Sequence, residues 1–158
     1  MDQSGGACSR ERAGLARLQP ISKRPLQDSL PQIALNITAV TRLTHAVLPA
    51  FLSRDDGLIM NVASVLTIKA LPISSVYSGT KAFVLNFSRG LQDELAEDRF
   101  RVQVVLPAST ATEIWNDSGI PLLALNEKTV MTAENLADGK GTLGTISLVL
   151  RDKLLPRL

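Results

Sequence analysis

The sequence has very few of the residues that form metal centres and disulfide frameworks. It contains one cysteine, Cys8, and one histidine, His45. Nearly every zinc site needs three or four such ligands and a disulfide needs two cysteines, so we expect no metal and no disulfide. A single cysteine is typical of a reducing compartment, and no stretch approaches the roughly 20 apolar residues that cross a bilayer. The expected location is therefore the cytoplasm, without a membrane contact.

Aromatic residues and charge of one sign are also scarce. Aromatic residues make up 4% of the chain, so alanine, valine, leucine and isoleucine must form most of the core. The 17 lysines and arginines oppose 15 aspartates and glutamates, and the net charge of +2 is too balanced for a nucleic-acid-binding surface. With 158 residues, 45% of them hydrophobic, the chain has the size and composition of one globular domain. We expect neither nucleic acid nor membrane among its partners.

Hydrophobic periodicity predicts alternating helices and strands. Apolar residues three and four positions apart indicate amphipathic helices, and short continuous apolar runs indicate strands buried on both faces. The predicted elements, in chain order, are helix 32–52, strand 58–64, helix 76–97, strand 101–106 and a further strand within 145–150. Helix and strand in this order are typical of a parallel sheet with right-handed crossovers.

A phenol and an ammonium lie four residues apart in the second predicted helix. Tyr77 and Lys81 stand at its start, and this spacing places both side chains on one face. An ammonium beside a phenol stabilises the phenolate and lowers the pKa of the phenol from about 10. Ser64, at the carboxyl end of the first predicted strand, lies at the edge where α/β sheets bind ligands. Taken alone, Tyr77 and Lys81 also fit an ordinary helix start and a solvated charge, so the pair becomes informative only with its surroundings.

Four short segments occur in the order and at the spacings of the short-chain dehydrogenases/reductases. They are Leu35–Thr38, Asn61–Ser64, Tyr77–Lys81 and Val105–Pro107. The chain therefore resembles the C-terminal half of this family over about residues 30 to 138. The resemblance implies an α/β fold with a partial doubly wound, Rossmann-like parallel sheet, of which this sequence carries the second half only. It also implies an NAD(P)-dependent oxidoreductase that transfers a hydride between nicotinamide and a carbonyl or secondary alcohol.

The resemblance assigns a role to each residue of the predicted site. Tyr77 would be the general acid when a carbonyl is reduced, and Lys81 would lower its pKa and hydrogen-bond the nicotinamide ribose. Ser64 would hold the substrate oxygen, and Asn36 would support the proton relay. The residues that would bind the nicotinamide end of NAD or NADP are Tyr77, Lys81, Pro107 and Thr112. Thr112 fits an ordinary turn position equally well.

The sequence departs from the family where the cofactor pyrophosphate should bind. A strand, a glycine-rich turn and a helix should come first, but residues 1–30 show no such pattern and are expected to form an irregular leader. The G-x-G-x-x-G string Gly139–Gly144 lies between a helix and a strand in the reverse order and begins a divergent tail, 139–158. The catalytic half would then be 31–138, and strand 58–64 would lack a neighbour on one side.

Two interpretations of function follow from this mixture of matches and departures. One is an NAD(P)-dependent oxidoreductase that acts on a small carbonyl or alcohol. The other is a truncated, catalytically silent remnant that can only associate with copies of itself, through the helices near 32–52 and 76–97. Binding of NADH or NADPH distinguishes the two.

Overall fold

The computed structural model describes residues 8–11, 14–97, 99–111, 118–119, 130–132, 134–135 and 148–150. Its strands are β1 (Cys8–Glu11), β2 (Leu58–Val62), β3 (Arg101–Leu106), β4 (Thr110–Ala111), β5 (Met131–Thr132) and β6 (Leu148–Leu150). Its α-helices are α1 (Leu26–Ile33), α2 (Val40–Arg54) and α3 (Ser75–Glu94). A π-helical segment, Ala34–Ala39, joins α1 to α2, and the mixture of helix and strand confirms the predicted α/β class.

Strands β1, β2 and β3 form the parallel part of a four-stranded sheet. The strand order is β1-β2-β3-β6, with β1 parallel to β2 and β2 parallel to β3. Strand β6 lies within the last predicted strand and pairs antiparallel with β3. A separate two-residue pair, β4 with β5, is parallel. The parallel strands confirm the predicted partial Rossmann-like sheet, and β6 adds an antiparallel edge to it.

Strand β1 corrects two expectations about the amino-terminal residues. Residues 1–30 are not an irregular leader throughout, because β1 pairs with β2 in a register that runs from Cys8–Leu58 to Glu11–Asn61. Strand β2 therefore has a parallel neighbour on each side, and the edge that was predicted to be unpaired is covered. The sequence did not indicate β1 because a four-residue strand of cysteine, serine, arginine and glutamate has no apolar run or alternation.

The first helix is longer than its periodicity predicts. Helix α1, the π-helical segment and α2 form one helical run from Leu26 to Arg54, and Pro31 lies inside α1. Proline has no N–H for an intrahelical bond, and the π-helical turn begins three residues after it. Turns of this kind widen a helix and occur frequently at functional sites. The π-helical segment carries Asn36, one of the predicted site residues.

Two apolar clusters pack helices against the sheet. The first contains Val40, Ala63, Val84, Val104 and Leu106. The second contains Phe51, Ile59, Leu91, Phe100 and Val102. Both clusters draw residues from α2, α3 and the region of β2 and β3, so the sheet and the two helices share one core. None of the helices in the described ranges has the length and hydrophobicity of a bilayer-spanning segment.

Gly57 tests the packing of the second cluster. A methyl group on Gly57 would lie 2.7 Å from Phe51 Cγ and 3.1 Å from Phe100 Cδ2, between two rings whose centroids are 5.5 Å apart. We expect Gly57→Ala to lower the free energy of unfolding by about 1–3 kcal/mol, because the rings must move. Gly90→Ala is the control, since a methyl group there meets no described atom within 4 Å and should favour α3. Equal midpoints for both variants in urea would contradict the packing described here.

Candidate active site

Helix α3 carries Tyr77 and Lys81 in its first two turns, and a serine fixes where the helix starts. Ser74 is buried, and its hydroxyl accepts a hydrogen bond from Leu71 N at 2.8 Å. The same hydroxyl lies 3.0 Å from Leu71 O and 2.8 Å from Ser78 Oγ. Ser74 therefore makes no side-chain bond to a helix N–H, as a capping serine would. It ties the preceding loop to the turn that contains Tyr77.

Ser64 brings a second hydroxyl to Tyr77. It follows β2 after one residue, is buried, and its Oγ accepts a hydrogen bond from Leu66 N at 3.2 Å. The Tyr77 phenol forms a side-chain hydrogen bond with Ser64. Since a serine oxygen can accept one bond and still donate its own hydrogen, Ser64 can act on an oxygen placed beside the phenol. The structure thus brings together two of the predicted site residues that are 13 positions apart in the sequence.

The protonation of Tyr77 differs from the expectation based on spacing. Burial raises the pKa of Tyr77 above its usual value of 10.0, and the hydrogen bond with Ser64 offsets this only in part. Lys81 was expected to lower that pKa, but its ammonium donates to Val62 O at 2.8 Å. The i, i+4 spacing places both residues on one helix face without making their polar ends partners. At neutral pH Tyr77 therefore holds its proton.

Lys81 is a buried amine at the carboxyl end of β2. The residue is 5% exposed, and burial lowers the pKa of its ammonium from 10.5 to about 8. A methyl group placed on Gly14 would lie 3.4 Å from Lys81 Nζ, so the backbone at Gly14 lies against the ammonium. Among the described residues no carboxylate pairs with Lys81, and burial of such an amine is costly and is a feature of functional sites.

The pKa of Lys81 predicts how stability depends on pH. Between pH 8 and 10 the unfolded chain keeps a proton on Lys81 that the folded chain loses, so the free energy of unfolding should rise with pH. Full titration corresponds to about 3 kcal/mol, at about 1.4 kcal/mol for each pKa unit. Above pH 10 Tyr77 acts in the opposite direction, because its pKa is raised on folding.

Urea unfolding across this pH range measures the effect. Lys81→Met removes the titrating amine and should abolish the rise, whereas Lys69→Met, in an exposed loop, should keep it. A parent protein whose stability is constant from pH 8 to 10 would show that Lys81 is solvated.

Asn36 holds three segments together. It is fully buried, its Oδ1 accepts from Leu15 N at 2.9 Å, and its Nδ2 donates to Leu15 O at 2.9 Å and to Thr80 Oγ1 at 3.0 Å. Thr80 in turn donates to Tyr77 O at 2.8 Å. Both amide hydrogens of Asn36 are thereby used, so its side chain positions the start of α3. A part in a proton relay stays a prediction.

Of the two further residues predicted to bind the cofactor, Pro107 lies within the described residues and Thr112 does not. Pro107 is buried just after β3, and its carbonyl accepts from Val65 N at 3.0 Å, which joins it to the turn that follows Ser64. Thr112 lies outside the described residues, as do the string Gly139–Gly144 and most of the tail. In the described ranges, no group of three or more histidine, cysteine, aspartate or glutamate side chains is arranged to hold a metal.

Sequence reasoning missed the segment that closes the site from the amino-terminal side. Leu15 and Gly14 belong to the residues expected to be irregular, yet they touch Asn36 and Lys81. A second buried carboxamide, Gln32, bonds to Arg17 N at 2.6 Å. Two carboxamides four residues apart on one helix face were the available signal, because such groups are rarely buried unless they have a hydrogen-bond partner.

Comparison with known proteins defines the class. The family model for short chain dehydrogenases matches residues 11–120, and the chain belongs to this family. The match begins within residues 1–30, upstream of the boundary that the sequence predicted at residue 31. The α/β fold and its parallel strands agree with that assignment.

Three similar proteins show how much of the family the chain covers. It is 42% identical over 96 residues to a probable NADP-dependent dehydrogenase of Haemophilus influenzae, covering 60% of this chain and 38% of that protein. It is 43% identical over 82 residues to the very-long-chain 3-oxoacyl-CoA reductase-A of Danio rerio, covering 52% of this chain and 26% of that protein. A short-chain dehydrogenase from Sphingobium yanoikuyae, solved in complex with NADPH, superposes with a TM-score of 0.79 and 39% identity. That superposition covers 87% of this chain and 52% of the Sphingobium chain, so the chain spans about half of it and less of the other two.

Proposed function

We propose that the protein is an NAD(P)-dependent oxidoreductase that transfers a hydride between nicotinamide and a carbonyl or secondary alcohol. The observation that carries the proposal is the hydrogen bond between the Tyr77 phenol and Ser64, one helical turn from the buried amine of Lys81. Two hydroxyls at the carboxyl edge of a parallel sheet suit a substrate with a single polar oxygen. The membership in the short-chain dehydrogenase family supports this chemistry.

Each residue has one task when a carbonyl is reduced. Nicotinamide, when bound, would supply the hydride for the carbonyl carbon. Tyr77 gives its phenolic proton to the carbonyl oxygen, which becomes the hydroxyl of the alcohol, and its raised pKa keeps that proton available at neutral pH. Ser64 accepts from Leu66 N, and its one hydrogen, which lowers the pKa of Tyr77 by bonding to the phenol oxygen, would turn to the substrate oxygen. The Lys81 ammonium donates to Val62 O and does not partner the phenol, so its proposed task is to hold the nicotinamide end of the cofactor.

The residues fit the nicotinamide end of the cofactor. Lys81 offers a buried donor that is only 5% exposed, and Gly14 leaves the space beside it free of a side chain. We propose that Tyr77, Lys81, Pro107 and Thr112 hold this end of NAD or NADP. NADP is favoured, since the Haemophilus relative is named NADP-dependent and the Sphingobium structure holds NADPH. The sequence has no glycine-rich turn between a strand and a helix, so the proposal does not extend to a pyrophosphate site.

A cofactor titration tests the proposal. The 158-residue chain is titrated with NADPH and NADH, and the fluorescence of the reduced nicotinamide is followed. Saturable binding at micromolar concentration supports an oxidoreductase, and Lys81→Met should weaken it by tenfold or more while Lys69→Met leaves it unchanged. The loss of tenfold corresponds to about 1.4 kcal/mol, the scale of a hydrogen bond to a charged group. The absence of binding up to millimolar concentration contradicts the proposal for this chain.

Self-association without catalysis is the second candidate. Helix α1 exposes three apolar side chains at helical spacing, Leu26 at 65%, Leu30 at 52% and Ile33 at 37%. Contiguous exposed apolar residues favour contact with another protein surface. A chain that binds no nicotinamide and sediments as a dimer or larger would support this candidate. The contact would then include α1 besides the helices near 32–52 and 76–97 that the sequence predicts.

A further inference from the structure

Two fully buried carboxamides on the long helical run hold the backbone of one segment, residues 14–18, which lies outside the helices and strands. Gln32 and Asn36 are four residues apart and both 0% exposed. Gln32 Oε1 accepts from Arg17 N at 2.6 Å, and Asn36 bonds to both the N–H and the C=O of Leu15 at 2.9 Å. Alternate residues of an extended chain direct their N–H and C=O groups to the same edge. The carboxamides therefore bind residues 14–18 in the way a neighbouring strand would.

The identity of Gln32 argues that this contact matters. Its Nε2 is buried and has no hydrogen-bond partner within the described ranges. An unpaired amide N–H in the interior costs free energy that a leucine or methionine at this position would avoid. The oxygen of Gln32 is the only part of its amide that makes a described bond, and that bond goes to Arg17 N. This free-energy cost is explained if the role of Gln32 is to hold the backbone of Arg17 in place.

The segment held by Gln32 ends at the amine of the proposed active site. A methyl group on Gly14 would lie 3.4 Å from Lys81 Nζ and 3.8 Å from Asn36 Oδ1. Leu18 N donates to Ser118 O at 2.7 Å, so the far end of the segment is fixed as well. With Leu15, Arg17 and Leu18 anchored, the backbone at Gly14 has little freedom to move away from Lys81.

We propose that Gln32 is a positioning residue for Lys81. By holding Arg17 it keeps residues 14–18 beside the helix, so that the backbone at Gly14 covers the amine and excludes water from it. The inference deepens the proposed function and rests on it in one respect, namely that Lys81 serves the reaction. Gln32 touches no reacting atom and acts only through this segment.

Two variants of similar size distinguish the effect of the Gln32 side-chain oxygen from the effect of side-chain packing. Gln32→Met removes the acceptor for Arg17 N, and Gln32→Glu keeps an oxygen in its place. Hydrogen exchange of the Arg17 amide, followed by NMR, reports the bond itself. The rate at which acetic anhydride modifies Lys81, followed by mass spectrometry, reports the cover over the amine. Gln92→Met is the control, because it removes a bond to Val102 O on a different strand.

In Gln32→Met we expect Arg17 to exchange at least tenfold faster and Lys81 to be acetylated at least fivefold faster than in the parent. Gln32→Glu should restore both rates to within about twofold, and Gln92→Met should leave both unchanged. A folded Gln32→Met protein with parental rates overturns the proposal. Equal acceleration of Lys81 acetylation in Gln32→Met and Gln92→Met also overturns it, because the effect would then be general destabilisation.

The parent protein supplies a second test if Gln32→Met does not fold. At urea concentrations below global unfolding, exchange of Arg17 and acetylation of Lys81 should accelerate together, since one opening exposes both. The proposal is contradicted if Lys81 is acetylated only when the whole protein unfolds, while the Arg17 amide exchanges at lower urea concentrations. Neither readout uses cofactor or turnover. A negative cofactor titration therefore does not affect this test of Gln32. A negative result for Gln32 likewise does not affect the titration.

Discussion

Replacement of Tyr77 by phenylalanine is expected to lower the rate of ketone reduction by about 100-fold or more. Phenylalanine keeps the ring and removes only the hydroxyl that bonds to Ser64 and carries the transferable proton. Burial keeps the pKa of that hydroxyl above 10.0, so in the parent the proton is present throughout the neutral pH range. The loss of absorbance of the reduced nicotinamide, with a ketone in excess, measures the rate.

Two control measurements show whether the effect is chemical. The free energy of unfolding should change little in Tyr77→Phe, because the ring packing remains. The affinity for NADPH should fall by much less than the turnover, because Lys81 remains. A variant that reduces the ketone within threefold of the parent rate would show that Tyr77 is not the general acid. A variant that loses cofactor affinity in the same proportion as turnover would assign Tyr77 to binding alone.

Asn36→Leu is expected to lower the free energy of unfolding by about 3 kcal/mol or more. The substitution leaves the N–H and C=O of Leu15 and the hydroxyl of Thr80 without their amide partner in a fully buried place. Each unsatisfied buried group costs about 1–3 kcal/mol, against a total stability of about 5–15 kcal/mol for a domain.

Asn86→Leu is the matched control, because Asn86 is exposed on α3 and should change the stability by less than about 0.5 kcal/mol. Urea unfolding measures both variants. If Asn36→Leu and Asn86→Leu unfold at the same urea concentration, the bonds to Leu15 and Thr80 contribute nothing to stability.

The sequence predicts the elements that carry long apolar patterns. Strand β3 begins and ends where expected, and α3 and β2 lie within a few residues of their predicted limits. Strand β1 was missed because its four residues are mostly polar and its pairing with β2 depends on residues about 50 positions away. The position of a short parallel strand depends on its pairing with the rest of the sheet, and the local sequence pattern does not show that pairing.

For the site, the sequence predicts which residues take part but not which contacts they make. The spacing of Tyr77 and Lys81 and the position of Ser64 after β2 identified residues that the fold places together. The direction of the Tyr77 pKa was predicted wrongly, because it depends on burial and on where the ammonium of Lys81 points, and Lys81 donates to Val62 O. The hydrogen bonds of Gln32 and Asn36 depend on the amino-terminal segment 14–18, whose sequence has no hydrophobic periodicity.

Isotope transfer tests the central claim most directly. The chain is mixed with NADPH that carries deuterium at the nicotinamide C4 and with a panel of aliphatic and aromatic ketones, and the alcohols are analysed by mass spectrometry. Deuterium on the carbinol carbon, formed about 100-fold or more slowly by Tyr77→Phe, is the result expected from a site in which Tyr77 donates the proton while hydride comes from nicotinamide. A folded parent protein that binds NADPH and yields no deuterated alcohol, or that yields it at the same rate as Tyr77→Phe, would contradict the account.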